Sequence, residues 1–135
     1  PKERSSRTDL GQALLRLGCL EDNLGNRQLA VRLWTEAMQI TEPFASGDNV
    51  PRGVLMLRYF LLLRLGKVLL EADRPDQAAL RLRESLDILQ AIEQRAPQMV
   101  ELWPRRLTAS GRLAVALARK GDRAGVDRLA TAMRN

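Results

Sequence analysis

One side-chain type recurs at an equal interval along this sequence. The separation between Arg16 and Arg64 is the same as that between Arg64 and Arg112. A guanidinium group can donate two parallel hydrogen bonds to a carboxylate, so arginines held on one surface are suited to binding acidic side chains or a chain terminus. The chemistry that these three residues indicate is the binding of anionic groups.

Residues for catalysis or metal binding are scarce. Histidine, the most frequent general base and metal ligand, is absent from the chain. Cys19 is the only cysteine, which excludes an internal disulfide and a thiolate metal cluster. The carboxylate pairs Glu21-Asp22 and Asp73/Asp76 fall at predicted helix ends, where capping and the helix dipole explain them. We therefore expect no enzymatic activity, no metal and no cofactor.

The net charge of +6 is concentrated in the last third of the chain. Residues 98–135 contain eight basic and three acidic residues, whereas residues 1–97 contain fourteen and thirteen. Such a basic end favours an acidic protein or peptide as partner. Nucleic acid is the alternative, because arginines also contact phosphates. Aromatic residues, on which bases stack, make up only 4% of the chain, which makes nucleic acid the weaker prediction.

The composition favours a helical protein outside the membrane. Leucine and alanine dominate a sequence that is 45% hydrophobic, and both are good helix formers. No apolar run reaches the roughly 18–20 residues that span a bilayer, and no signal peptide pattern is present. We expect a reducing compartment, the cytoplasm. Because the chain begins with Pro1 and not methionine, we also expect it to be a piece of a larger protein.

Turn and capping residues divide the chain into six predicted helices. Residues 1–7 are polar and are predicted to be disordered or a linker. Gly25, Asp73 and Gly121 mark short turns, with Asp73 predicted to cap the helix that follows it. Pro104 either kinks the fifth helix or marks its first turn. The six helices are predicted at about residues 8–24, 26–41, 52–72, 73–95, 98–119 and 122–133.

Apolar spacing predicts which faces of these helices are buried. The first helix is expected to bury the face that carries Leu10, Leu14, Leu17 and Leu24. The third helix is apolar nearly all round, which is typical of a helix that is covered on most sides. Trp34 on the second helix is predicted to fill the core. For Trp103, packing on a neighbouring helix is preferred over an exposed anchor for a partner.

A longer pattern repeats with the same interval as the arginines. Leu17-Gly18, Leu65-Gly66 and Leu113-Ala114 are evenly spaced, and each pair is followed by a turn and a second apolar segment. A fixed period with one helix-turn-helix in each unit is the signature of a helical repeat array. Small residues at these positions allow the paired helices to approach closely.

The repeat resembles the tetratricopeptide repeat (TPR), which places Leu-Gly on a first helix and Ala, a large apolar residue and Ala on a second. The TPR period is about 34 residues. The interval in this chain is longer, so the chain is similar to the extended variants. The matching residues are Leu14, Leu17, Gly18, Gly25, Ala30, Trp34 and Ala37; Leu62, Leu65, Gly66, Leu69, Ala78, Leu82 and Ser85; and Leu113, Ala114, Leu117, Gly121, Val126, Ala130 and Met133.

The resemblance implies an all-α fold, a right-handed α-solenoid of three antiparallel helix pairs. The implied TPR-like domain covers residues 8–135, with repeats at about 8–51, 52–97 and 98–135. An array of this kind is a protein–protein interaction module, a scaffold or signalling segment of a larger protein. An open end of the array predicts either further repeats or a homodimer.

The resemblance also implies a concave groove lined by the first helix of each pair, in which a ligand lies. The residues predicted to line it are Arg16, Cys19, Asn23, Arg64, Lys67, Arg105, Arg112 and Arg119. We expect an acidic segment to bind there. The alternative is that these arginines are solvated and cover apolar surface with their stems. Cys19 is interpreted as a small apolar residue in preference to a reactive thiol.

Overall fold

The chain is all-α wherever its structure is described. A computed structural model describes residues 2–47, 49–96 and 102–134, and no strand occurs in these ranges. The all-α class predicted from the composition is confirmed. The helices are α1 (Lys2–Asn23), α2 (Arg27–Thr41), a short 3-10 helix (Glu42–Phe44), α3 (Arg52–Glu71), α4 (Pro75–Arg95), α5 (Leu102–Arg119) and α6 (Arg123–Arg134).

Contacts divide the chain into two compact units, Pro1–Leu61 and Leu62–Asn135. In the first unit, α1 packs along α2. In the second, α5 packs against both α4 and α6. The boundary falls inside α3, so that this helix contributes residues to both units.

Three turns with the same backbone geometry end α1, α3 and α5. Gly25, Asp73 and Gly121 are evenly spaced in the sequence and have positive φ angles of 89°, 57° and 81°. In each turn the following N–H reaches back five positions to a carbonyl, which is the Schellman pattern that ends many helices. These bonds are Asn26 N to Glu21 O at 2.8 Å, Arg74 N to Leu69 O at 2.8 Å and Asp122 N to Leu117 O at 2.9 Å.

Asp73 does not cap α4, contrary to the prediction. The N-cap of α4 is Arg74, and Pro75 is the first helical residue. Asp73 instead takes the left-handed position that glycine takes in the other two turns, which short polar side chains tolerate better than most. Asp122, in contrast, does cap the next helix, because its Oδ1 accepts a hydrogen bond from the N–H of Gly125 at 2.8 Å.

Helix α1 begins at Lys2, in the stretch predicted to be disordered. The hydroxyl of Thr8 donates to the carbonyl of Arg4 at 2.8 Å. Arg7 and Glu3 form an ion pair one turn apart at 3.1 Å. The guanidinium of Arg7 also lies 5.9 Å from the centre of the Phe44 ring, a cation–π distance. These contacts extend α1 beyond its predicted start.

Glycines give α1 and α3 their close contact with the second helix of each pair. A Cβ added to Gly18 would lie 2.6 Å from Cδ1 of Trp34, and one added to Gly66 would lie 2.7 Å from Cγ of Leu82. Both large side chains are fully buried, as predicted for Trp34. The Leu-Gly pair recurs in α1 and α3 because in each case the partner side chain occupies the space of the missing Cβ.

The buried face of α1 differs from the predicted one. Leu14 is buried, but Leu10, Leu17 and Leu24 are 48%, 45% and 66% exposed. The face that enters the core carries small residues beside Leu14, since only these allow α2 and α3 to approach. At Gly11, for example, an added Cβ would lie 2.8 Å from Cδ2 of Leu57.

The prediction for α3 is confirmed, because its buried residues lie on all its sides. They are Val54, Leu55, Leu57, Arg58, Tyr59, Leu61, Leu62, Leu63, Leu65, Gly66, Val68 and Leu70. For α5, Pro104 lies in the first turn of the helix as described, where proline is compatible with helical geometry. Residues 98–101 of the predicted fifth helix lie outside the described residues.

Candidate protein-binding surfaces

The eight predicted groove residues are divided between the two units. Arg16, Cys19 and Asn23 lie on α1, in the first unit. The other five lie in the second unit, on α3 and α5, and form what we call the basic surface. The basic surface consists of Arg64, Lys67, Arg105, Arg112 and Arg119.

The three α1 residues share one side of their helix, because they are spaced by three and four positions. Arg16 and Asn23 are exposed, and Cys19 is a half-buried free thiol. Arg16 makes no hydrogen bond or ion pair with the described residues. This side of α1 is thus open to solvent at its charged position.

Two arginines of the basic surface join α5 to α3. Arg112 Nη1 donates to the carbonyl of Leu63 at 3.1 Å, and Arg119 Nη1 donates to the carbonyl of Leu70 at 2.8 Å. The Leu70 carbonyl is in the last turn of α3, where it also accepts from the N–H of Asp73 at 3.1 Å and where the helix dipole attracts positive charge. Both arginines therefore hold α5 and α3 together.

The remaining basic groups differ in how far they are engaged. Arg64 and Lys67 are half-buried and lie one turn apart on α3. Neither makes a hydrogen bond or ion pair within the described part of the chain. Arg105 is half-buried and has a bonding partner. Because Arg112 bonds the carbonyl that precedes Arg64 in sequence, the structure brings these two predicted residues together.

An apolar surface on α1 was missed at the sequence level. The five residues that form it, which we call the α1 stripe, are spaced alternately by three and four positions. Contiguous exposed apolar surface is typical of sites that bind another protein. The alternating spacing is the signal that could have revealed it. The α1 stripe consists of Leu10, Ala13, Leu17, Leu20 and Leu24, and all five are exposed.

A smaller apolar patch lies at the start of α5. Trp103 and Leu107, one turn apart, are 51% and 44% exposed. The preferred prediction was that Trp103 packs on a neighbouring helix. About half of Trp103 is instead exposed to solvent. Both residues lie on the described part of α5, which begins at Leu102.

The described residues contain few features of other kinds of site. They include no group of three Cys, Asp or Glu side chains placed to hold a metal ion. Trp34 belongs to the core, and its Nε1 donates to the carbonyl of Leu15 at 3.2 Å. None of the described helices combines the length and the apolar character needed to cross a membrane.

In comparisons with known proteins, no family model, no curated protein and no solved structure matches this chain.

Proposed function

We propose that this chain is a protein-interaction module, a scaffold or regulatory segment that binds an acidic peptide or protein segment through its basic surface. In this proposal it is an extended TPR-like array, in which three helical hairpins stack as a right-handed solenoid. The proposal draws on three evenly spaced turns with the same hydrogen bonds. It draws equally on the matching Gly18–Trp34 and Gly66–Leu82 contacts.

The observation that carries the proposal is the combination of fixed and free cations in the second unit. Arg112 and Arg119 are fixed by hydrogen bonds to α3. Arg64 and Lys67 lie on that same helix, without a partner in the described residues. Fixed side chains lose little conformational entropy when a ligand binds. Arg64 and Lys67 gain from it a partner that the described residues do not provide. Carboxylates are the ligands that such a surface favours.

Nucleic acid is the less favoured ligand, because few aromatic rings are exposed to stack on bases. Trp34 and Tyr59 are fully buried, whereas Trp103 is 51% exposed. A protein ligand needs no such stacking. Catalysis has no part in the proposal, since the sequence contains no histidine, the most frequent general base.

The test is a double charge reversal at the free cations, Arg64→Glu with Lys67→Glu. Arg112 is left unchanged because its loss would also break the α5–α3 contact. We expect the affinity for a fluorescently labelled octaglutamate peptide, measured by anisotropy at low salt, to fall at least about tenfold, a loss of about 1.4 kcal/mol. Circular dichroism should show unchanged helicity.

The matched control is Arg83→Glu with Arg128→Glu, which changes the net charge equally. Both side chains are exposed and lie outside the basic surface. An equal loss of affinity in this control would show that net charge alone attracts the peptide and would contradict the proposal. Tighter binding of single-stranded RNA than of the peptide, with the same dependence on Arg64 and Lys67, would instead favour the nucleic-acid alternative.

A further inference from the structure

The α1 stripe has the spacing of a coiled-coil seam. Leu10, Leu17 and Leu24 recur with a heptad interval, and Ala13 and Leu20 lie between them, so that the five residues occupy the a and d positions of successive heptads. The four leucines are 45% to 66% exposed. A stripe this narrow is typical of a surface that packs against one further helix.

The equivalent face of α5 shows how such a surface is covered in this chain. Two repeat intervals after Ala13, Leu17 and Leu20, the chain has Ala109, Leu113 and Ala116. All three are 1% exposed or less, and α5 packs against α4. In α3 the equivalent residues, Leu61, Leu65 and Val68, are buried as well. The same face of α1 is the one that no described helix covers.

The residue type at Leu10 indicates what kind of helix would cover the α1 stripe. Its equivalents are Arg58 and Arg106, which form ion pairs with the segments that precede their helices. Arg58 pairs with Glu42 at 2.8 Å, and Arg106 pairs with Glu93. Because α1 has leucine at this position, its partner helix is expected to bring an apolar group there and not a carboxylate.

Helix α6 of another copy does not fit this requirement. It is the second helix of the third hairpin, and its exposed positions carry charged residues, one threonine and two alanines but no large apolar side chain. They are Arg123, Ala124, Asp127, Arg128, Thr131, Ala132 and Arg134. A polar face of this kind gives no apolar match to four leucines. Helix α1 of another copy, in contrast, matches each leucine with a leucine.

Charges beside the α1 stripe are also self-complementary. Arg16 occupies a g position and Glu21 the e position of the next heptad. In a parallel pair of helices these positions lie opposite each other across the seam, so that two symmetric ion pairs form. Arg16 has no partner in the described residues. Glu21 uses one carboxylate oxygen to accept from the amide of Asn26 at 2.7 Å, which leaves the other oxygen available.

We propose that two copies of this chain form a parallel, in-register homodimer through the α1 stripe. Leu10, Leu17 and Leu24 each pack on the same residue of the second copy, and Arg16 pairs with Glu21 across the interface. The basic surface takes no part, so dimerisation and acidic-peptide binding are separate properties with separate tests.

Sedimentation velocity over a range of micromolar concentrations tests the association. We expect a monomer–dimer equilibrium for the natural chain. Leu17→Glu with Leu20→Glu should weaken dimerisation about a hundred-fold or more, because both charges would be buried at the centre of the seam. The matched control is Leu80→Glu with Val115→Glu, at residues that are 58% and 44% exposed elsewhere. Circular dichroism checks that each variant is folded.

Cysteine cross-linking tests the orientation. In a Cys19→Ser background, Leu10→Cys and Leu24→Cys chains should each form a disulfide-linked dimer with their own kind under mild oxidation, since like a positions meet at bridgeable distance in a parallel pair. An antiparallel pair would cross-link only when the two variants are mixed. Arg16→Glu should weaken the dimer, and adding Glu21→Arg should restore it.

A monomer at all concentrations would overturn the proposal. Equal dissociation in the Leu80/Val115 control would overturn it as well, because the effect would then not depend on the α1 stripe. Cross-linking only in the mixed sample would refute the parallel register. An intact dimer in the folded Leu17/Leu20 variant would place the interface elsewhere.

Discussion

Arg58 carries a positive charge that is only 8% exposed, and its three hydrogen bonds explain how the fold accommodates it. Nη1 donates to the carbonyl of Met38 at 3.0 Å and to the hydroxyl of Thr41 at 2.9 Å, while Nη2 donates to Glu42 at 2.8 Å. The Met38 carbonyl lies in the last turn of α2. The Thr41 hydroxyl also donates to the Met38 carbonyl, at 3.3 Å. Arg58 therefore supplies a second donor, together with a positive charge that the last turn of α2 lacks.

We expect Arg58→Met to lower the free energy of unfolding by about 3 kcal/mol, because hydrogen bonds from a charged donor to buried acceptors are lost. Glu42→Ala should cost less than about 1 kcal/mol, since the Glu42 side chain is 72% exposed and its ion pair is screened by water. Urea denaturation of the two variants measures both values. Equal costs would show that the ion pair, and not the helix-end contact, gives Arg58 its role.

The sequence predicts the role of some single residues but not of others. Trp34 is correctly predicted to lie in the core, because a large side chain on the apolar face of a helix is usually buried. The hydrogen bonds of Arg112 and Arg119 to α3 could not be predicted, since each joins distant parts of the sequence and depends on how the two helices pack. Spacing identified these arginines as a group but could not show that helix carbonyls already occupy some of their donors.

In the paired helices, the size of a residue on the first helix is matched by the size of a side chain on the second. Gly18 faces Trp34, and Gly66 faces Leu82. In the third hairpin the residues equivalent to Gly66 and Leu82 are Ala114 and Ala130. At the equivalent positions, a larger residue on the first helix thus accompanies a smaller one on the second.

This matching predicts coupling between two substitutions. Gly66→Ala should destabilise the fold by about 1–3 kcal/mol through overpacking, and Leu82→Ala by about 2–5 kcal/mol through the cavity it leaves. The double variant reproduces the alanine pair of the third hairpin, so its cost should be at least about 1 kcal/mol smaller than the sum. A double-mutant cycle in urea measures this difference. Additive costs would contradict the matching.

The predicted helices and turns agree with the structure where the signals are local. Glycine, proline and capping residues act within a few positions, which is why the ends of α2, α4 and the turn at Gly121 were predictable. The exposed α1 stripe was not, because the burial of an apolar face depends on which distant segment covers it. Asp73 was misassigned since its side chain suits a cap and a left-handed turn alike.

On the scale of the whole molecule, α3 belongs to both compact units. Loss of either unit would expose apolar residues of this helix, among them the fully buried Leu57 and Leu62. We therefore expect the two units to unfold in one cooperative transition, as is usual for chains of this length.

Tryptophan fluorescence can test this cooperativity. In a Trp103→Phe variant, the remaining Trp34 is fully buried in the first unit and reports on that unit. Its emission should change at the same urea concentration as the far-ultraviolet circular dichroism of the whole chain. Trp34 unfolding at a separate, lower concentration would show that the units are independent.

The recurrence of one turn geometry at Gly25, Asp73 and Gly121 has a consequence for how such a gene can change. Recombination between two codons that are one repeat interval apart would add or remove one hairpin. Where the exchange falls within a helix, the two joined parts would continue the same helical register. Between the first two hairpins, such an exchange would keep a glycine opposite a large side chain and a left-handed turn at the same place. Variation in the number of hairpins among descendants of this chain is thus open to selection, because a whole hairpin is gained or lost and no helix is left incomplete.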